Sequence, residues 1–200
     1  GVHLVGDVMY EVTKTAAGAA ARRRAELLDR LGLAERQYYL ATVHRAENTD
    51  QPRRLEAIFS ALSRCERCVV VPLHPRTRQR LGNGQLAATG RLKLIEPLGY
   101  PDMVALIGSA RIVLTDSGGL QKESYWLGVP CITLRERTEW PELVEAGCNR
   151  LTGADPTAIA SALAHFESQE ARLPADLPPE LYGDGQAARR IVEVLANSGS

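Results

Sequence analysis

Neither sign of charge predominates in this chain: 24 lysines and arginines balance 24 aspartates and glutamates, for a formal net charge of zero. A balanced chain has no bulk field to draw it to nucleic acid or to an anionic membrane. No apolar run approaches the roughly 18 residues of a membrane span, and no signal-peptide pattern is present, so a cytoplasmic protein is expected. Cysteine is scarce, with only Cys65, Cys68, Cys131 and Cys148. A zinc site would want a second close pair beside Cys65-x-x-Cys68. A redox pair would open a helix after a strand, whereas this one leaves a helix for the strand-like Val69-Val70-Val71. Structural roles are expected for all four cysteines. Internal repeats, low-complexity blocks and the G-x-G-x-x-G of dinucleotide folds are also missing.

What remains is an ordinary globular composition, 44% apolar and 24% charged over 200 residues, enough for one large domain or two small ones. Apolar, β-branched runs recur at Val2–Val5, Tyr38–Val43, Val69–Leu73, Leu92–Ile95, Ile112–Thr115 and Cys131–Leu134. Between them lie segments of helical spacing, such as Leu55-Ile58-Phe59-Leu62. Short strands alternating with helices predict an α/β protein with a doubly wound parallel sheet, its ligands at the carboxyl ends of the strands. Ala16–Arg24 reads as a solvated helix whose arginines, Arg22 to Arg24, spread around the axis, which disfavours an RNA-binding arm. Thr157–Glu170 reads as a helix, Leu173–Leu181 as a proline-rich surface crossing, and Ala187–Leu195 as a last helix with Asp184 at its N-cap. Asn197–Ser200 reads as a disordered tail, leaving residues 1–196 as the domain. The chain opens Gly1-Val2-His3-Leu4-Val5-Gly6, already inside an apolar run, as expected of the second half of a longer protein.

The most informative segment is Asp116-Ser117-Gly118-Gly119-Leu120-Gln121-Lys122-Glu123. It follows a strand-like run and opens an amphipathic one. Two glycines let the backbone approach a phosphate, Ser117 adds a hydroxyl, and the first free N–H groups of the helix point at the charge. Glu123 sits one turn in, where a carboxylate can accept from a sugar's hydroxyl pair, at a spacing much shorter than the dinucleotide fingerprint. The residues therefore point to a phosphorylated sugar nucleotide and away from NAD.

Three other strand ends carry ionisable residues: His44-Arg45-Ala46-Glu47-Asn48, His74-Pro75-Arg76, and Arg135-Glu136-Arg137-Thr138-Glu139-Trp140-Pro141-Glu142. The opposite-edge loops Leu33–Gln37 and Gly108–Arg111 lack such clustering. His44 reads as an acid or hydrogen-bond donor beside a phosphate. His74, before Pro75, suits either ligand contact or structural capping. Arg135 suits a phosphate fork held by Glu139 or Glu142, or else a surface ion pair. Asp116 is expected to position the turn or cap the helix, because another anion beside phosphates would repel.

Taken in order, Thr42-Val43-His44-Arg45-x-Glu47-Asn48, His74-Pro75, Asp116-Ser117-Gly118-Gly119-x-Gln121-x-Glu123, Arg135-x-x-Thr138-Glu139-x-Pro141-Glu142, Gly153 and Gly183-Asp184-Gly185 closely resemble the non-hydrolysing UDP-N-acetylglucosamine 2-epimerases. The resemblance implies one Rossmann-like half of a glycosyltransferase-B-like two-domain fold, with residues 1–196 as its C-terminal, UDP-binding domain and the first domain missing. It implies interconversion of UDP-N-acetylglucosamine and UDP-N-acetylmannosamine by anti elimination of UDP to a 2-acetamidoglucal and re-addition, with no nicotinamide or metal and with a tendency to dimerise. Carried over, Ser117, Gly118 and Gly119 bind the diphosphate, Glu123 the ribose, and Arg135 lies near the nucleotide. His44 is the catalytic histidine of this half. Arg45 and His74 match positions tied to a second, activating UDP-N-acetylglucosamine.

The acid/base carboxylates of that family belong to the other half, so this chain alone is expected to be inactive. Lys122 stands where many members carry a glutamate and Trp140 where many carry an arginine. Relatives acting on UDP-2,3-diacetamido-glucuronic acid share part of that pattern. A retaining glycosyltransferase of the same architecture would pair Glu123 with a second glutamate at the position of Thr115, which argues against transfer. A non-catalytic nucleotide-sugar binding module stays open, while a receiver-like domain would need an acidic pocket after the first strand, where only Asp7 stands.

Overall fold

The structure, a computed structural model, describes residues 1–74, 77–81, 91–168 and 181–197. Five of the expected strands form: β1 (Tyr38–Thr42), β2 (Cys68–Pro72), β3 (Leu92–Ile95), β4 (Ile112–Thr115) and β5 (Cys131–Thr133). A further strand, β6 (Asn149–Leu151), is three residues long with an arginine at its centre, too short and too mixed for a periodic signal. The strands pair parallel in the order β3-β2-β1-β4-β5-β6.

Alternation along the strands builds a core on each face of the sheet. On one face Tyr39, Ala41, Val69, Val71, Ile112 and Leu114 meet Ile58 and Leu62 of helix α3 (Pro52–Ser63) and Phe166 of helix α7 (Pro156–Ser168). On the other, Tyr38, Leu40, Val70 and Val113 meet Leu27 of α1 (Val8–Arg30) and Leu106 and Ile107 of α4 (Tyr100–Ser109). The doubly wound, Rossmann-like α/β architecture follows. Four-residue α2 (Ala46–Thr49) lies between β1 and α3. Helix α5 (Gly118–Trp126) follows β4, α6 (Pro141–Glu145) follows the β5 loop, and α8 (Ala187–Asn197) comes last.

Three expectations need correction. Val2–Val5 is no strand: residues 1–7 are irregular, with Val2 and Leu4 exposed. A strand needs a neighbour to take its N–H and C=O groups, and among the described residues this run finds none. Instead Gly6 turns at φ +95°, and Asp7 caps α1 by accepting the N–H of Met9 at 2.7 Å. Ala16–Arg24 is not a solvated helix on its own; it lies inside the 23-residue α1, where Ala16 and Ala20 are buried. Its arginines do diverge, Arg23 toward Asp102 at 3.6 Å and Arg24 to Glu35 at 3.1 Å. Asp184 is not the N-cap, because the last helix begins at Ala187 and the N–H that Asp184 accepts, that of Gln186, precedes it; the N–H of Ala188 is taken by Glu11 of α1 at 2.9 Å.

The C-terminal helix thus starts on a carboxylate from the other end of the chain. The proline-rich crossing lies outside the described residues, apart from Leu181, as does the tail beyond Asn197. Cys65 follows α3 and Cys68 opens β2, and all four cysteines carry free thiols. Among the described residues no helix is long and apolar enough to cross a membrane.

Candidate nucleotide site at the carboxyl edge

The strand order reverses between β1 and β4, and in open parallel sheets the ligand crevice lies outside the carboxyl ends of the strands at that reversal. There Thr42 of β1 and Thr115 of β4 are register partners, and their hydroxyls bond at 2.7 Å. Both strand-end loops start from this joint.

Asp116 joins the two loops. Its carboxylate is fully buried and accepts the backbone N–H of His44 on both oxygens at 3.1 Å. It also accepts the N–H of Arg45 at 3.0 Å and the side-chain amide of Asn48 at 3.1 Å. Buried charge is tolerable when every lone pair finds a donor, and here the donors are supplied by the β1 loop. Asn48, also fully buried, donates on to the carbonyl of Leu134 at 3.0 Å and accepts from Arg54 Nε at 3.1 Å. One aspartate and one asparagine therefore tie together the loops after β1, β4 and β5. The His44 ring stays 45% exposed, with Nδ1 3.6 Å from Asp116 Oδ1.

Ser117 is the N-cap of α5: its hydroxyl accepts the N–H of Leu120 at 3.5 Å, and its own N–H goes to Thr115 Oγ1 at 3.0 Å. A helix leaves its first N–H groups without internal acceptors. No described residue bonds those of Gly118 and Gly119. Close approach explains the glycines. A Cβ on Gly118 would stand 3.2 Å from Glu139 Oε2 and 3.6 Å from Arg45 Nη2, and one on Gly119 would stand 3.2 Å from Met9 Cε.

Glu123, one turn further, is 5% exposed and accepts the Tyr100 hydroxyl on Oε1 at 2.9 Å. Burial raises its carboxyl above the usual range, against the lowering effect of Tyr100 and Lys122. Arg135 divides its guanidinium between Glu47 at 2.7 Å and Glu139 at 2.9 Å. Burial works to raise the Glu139 carboxyl, but the Arg135 hydrogen bonds and the cations beside it hold it below the usual range. Of the two proposed holders of Arg135, Glu139 is the one in contact; Glu142 accepts the Tyr182 hydroxyl at 2.6 Å instead.

Arg45 approaches the same Glu139 at 3.9 Å. His74 lies exposed beyond β2, with its carbonyl accepting the N–H of Arg78 at 3.0 Å; Pro75 and Arg76 lie outside the described residues. Gly153 sits at φ +58°, where a Cβ would fall 2.7 Å from Glu136 Oε1.

So His44, Arg45, Ser117, Gly118, Gly119 and Arg135 share one rim, with Glu123 beneath it. The motifs do not announce Asp7, Met9, Tyr100 and Tyr182, which pack around α5 from distant parts of the chain. Among the described residues no group of three or more histidine, cysteine or acidic side chains is placed to hold a metal ion.

Comparisons with known proteins bear on the family and the fold. The chain is 40% identical, over 98% of its length, to a UDP-N-acetylglucosamine 2-epimerase homolog of Methanococcus maripaludis, covering 55% of that protein. It is 43% identical, over 96% of its length, to the UDP-2,3-diacetamido-2,3-dideoxy-D-glucuronate 2-epimerase of Pseudomonas aeruginosa, covering 52% of it. The crystal structure of the Methanocaldococcus jannaschii UDP-GlcNAc 2-epimerase with UDP-GlcNAc and UDP superposes with a TM-score of 0.82 at 33% identity, over 98% of this chain and 54% of that one. The chain thus spans about half the length of the curated relatives it matches. The family model for UDP-N-acetylglucosamine 2-epimerase matches residues 1–196, nearly the whole chain, and the protein belongs to that family.

Proposed function

We propose that this chain is the C-terminal, UDP-binding half of a UDP-sugar 2-epimerase with a glycosyltransferase-B-like two-domain fold, acting on UDP-N-acetylglucosamine. The observation that carries the reading is the pair of N–H groups at Gly118 and Gly119 that no described residue accepts, on the turn capped by Ser117 and beside the His44 loop. Elimination of UDP breaks the C1–O bond and builds negative charge on the departing β-phosphate. Fixed N–H donors and the His44 ring, aimed at that charge before the reaction, stabilise it without reorganising. Glu123 has Oε1 on Tyr100 and offers Oε2 to the ribose hydroxyls.

Inversion at C2 needs a proton taken from one face of the sugar and another delivered to the opposite face, work that the family resemblance gives to carboxylates of the other half. The chain alone is therefore expected to bind UDP without turnover, and epimerisation is expected to return when the other half is added. Proton NMR of UDP-N-acetylglucosamine incubated with each preparation reads this directly. Turnover by the isolated chain would overturn the division of labour.

A second reading, epimerisation of UDP-2,3-diacetamido-2,3-dideoxy-glucuronic acid, is favoured by the 43% identity to the Pseudomonas aeruginosa protein of that name. Offering both sugar nucleotides to the whole enzyme separates the two. Pairing of whole enzymes into dimers is a further expectation, read by their mass in solution.

A further inference from the structure

We propose that Trp140, locked by Lys122, is a positioning residue that aims the diphosphate-binding N–H groups of Gly118 and Gly119. The inference rests on the UDP reading of the Ser117 turn.

The peptide bond is planar and trans, so fixing the carbonyl of one residue fixes the N–H of the next, pointing the opposite way. Two consecutive carbonyls of this turn are held by side chains. Trp140 Nε1 donates to the carbonyl of Gly118 at 2.8 Å, and Gln121 Nε2 donates to that of Ser117 at 3.3 Å. These are the planes that carry the N–H groups of Gly119 and Gly118.

Both holders belong to one connected unit. Thr138 donates its hydroxyl to Gln121 Oε1 at 2.5 Å and accepts the backbone N–H of Trp140 at 3.0 Å. Asn149 of β6 donates to the same Gln121 oxygen at 2.9 Å, which anchors the unit to the sheet.

The indole is held in turn by a buried cation. Lys122 Nζ lies 4.0 Å from the centre of the Trp140 ring, with Trp126 at 5.4 Å and Tyr182 at 5.9 Å. Its side chain is 5% exposed, and among the described residues its carboxylate partner is Asp7 at 2.5 Å, which also caps α1. A desolvated cation over an indole face is a strong contact of its type. It fixes the ring plane, and with it the direction of Nε1–H. Lys122 and Trp140 are thus in contact with each other.

Trp140→Phe tests this, since it keeps an aromatic face for Lys122 and removes the Nε1–H donor together with the five-membered ring that carries it. UDP and uridine are titrated by calorimetry and ligand-observed NMR against the unsubstituted chain and the variant. The expected result is a roughly tenfold loss of UDP affinity, the scale of one donor to a site that carries charge, with uridine binding unchanged. Uridine binding also reports that the variant is folded. UDP affinity equal to that of the unsubstituted chain would overturn the inference, as would equal losses for UDP and uridine. Failure of the unsubstituted chain to bind UDP would instead overturn the nucleotide reading, and the inference with it. Lys122→Met supplies an independent check: with the cation gone, the same selective loss of UDP affinity is expected, and its absence contradicts the lock.

Discussion

Asp116 holds His44 twice. Its carboxylate accepts the backbone N–H of His44 through both oxygens at 3.1 Å, and Oδ1 stands 3.6 Å from the ring nitrogen Nδ1. The aspartate after β4 thus fixes the loop after β1, leaving the rest of the imidazole open to the crevice. That division suits an anion site: the buried carboxylate spends its charge on the backbone of a neighbouring loop and leaves the His44 ring at the rim.

Asp116→Asn puts an amide against the N–H groups of His44 and Arg45 and the amide of Asn48. At least one donor pair then meets head on inside the protein. A loss of about 2–3 kcal/mol in unfolding free energy is expected, because the bonds are charge-assisted and buried. Urea denaturation measures it. A midpoint unchanged from that of the unsubstituted chain would contradict the clamp.

Gly153→Ala tests a different constraint. The backbone there has φ +58°, and a Cβ would press Glu136, whose carboxylate pairs with Arg54 at 2.7 Å. The exposed end of Glu136 can move aside, so the cost is mainly backbone strain, about 1–2 kcal/mol. The same denaturation experiment reads it, and a neutral substitution would show that this turn relaxes freely.

Much of this was legible in the residues. Strands β1, β2, β4 and β5 declare themselves because long apolar, β-branched runs end in polar loops, and the loops carry the site. The run Val2–Val5 has the same local pattern and fails because pattern cannot show whether a neighbouring strand is available. The order Asp-Ser-Gly-Gly announces a capped turn from strand into helix, since glycine and a cap are local requirements. Partners distant in sequence leave no such trace. Nothing in the spacing reveals that Lys122 pairs with Asp7, or that Tyr182 rather than Arg135 takes Glu142. The choice between Glu139 and Glu142 depends on how a loop and a short helix fold back, which no period encodes.

Glu123 carries a pH signature. Burial raises its carboxyl pKa in the folded chain. Between the unfolded and folded values the folded state binds more protons than the unfolded one, so this group's contribution to stability falls as pH rises. Glu123→Gln removes that dependence and keeps an acceptor for Tyr100. As pH rises above about 4, the ordinary glutamate range, the variant should therefore gain stability relative to the unsubstituted chain. Urea curves at several pH values check it, and a difference that does not change with pH would contradict the burial argument.

The central claim is that UDP binds the Ser117 turn, with Glu123 on the ribose. The most direct measurement is calorimetric titration of the chain with UDP, unsubstituted and as Ser117→Ala and Glu123→Ala. Saturable binding to the unsubstituted chain, weakened by each change by roughly tenfold, the scale of a lost hydrogen bond to a charged group, is the predicted result. A folded chain that takes up no UDP, or variants that bind it as tightly as the unsubstituted protein, would contradict the assignment.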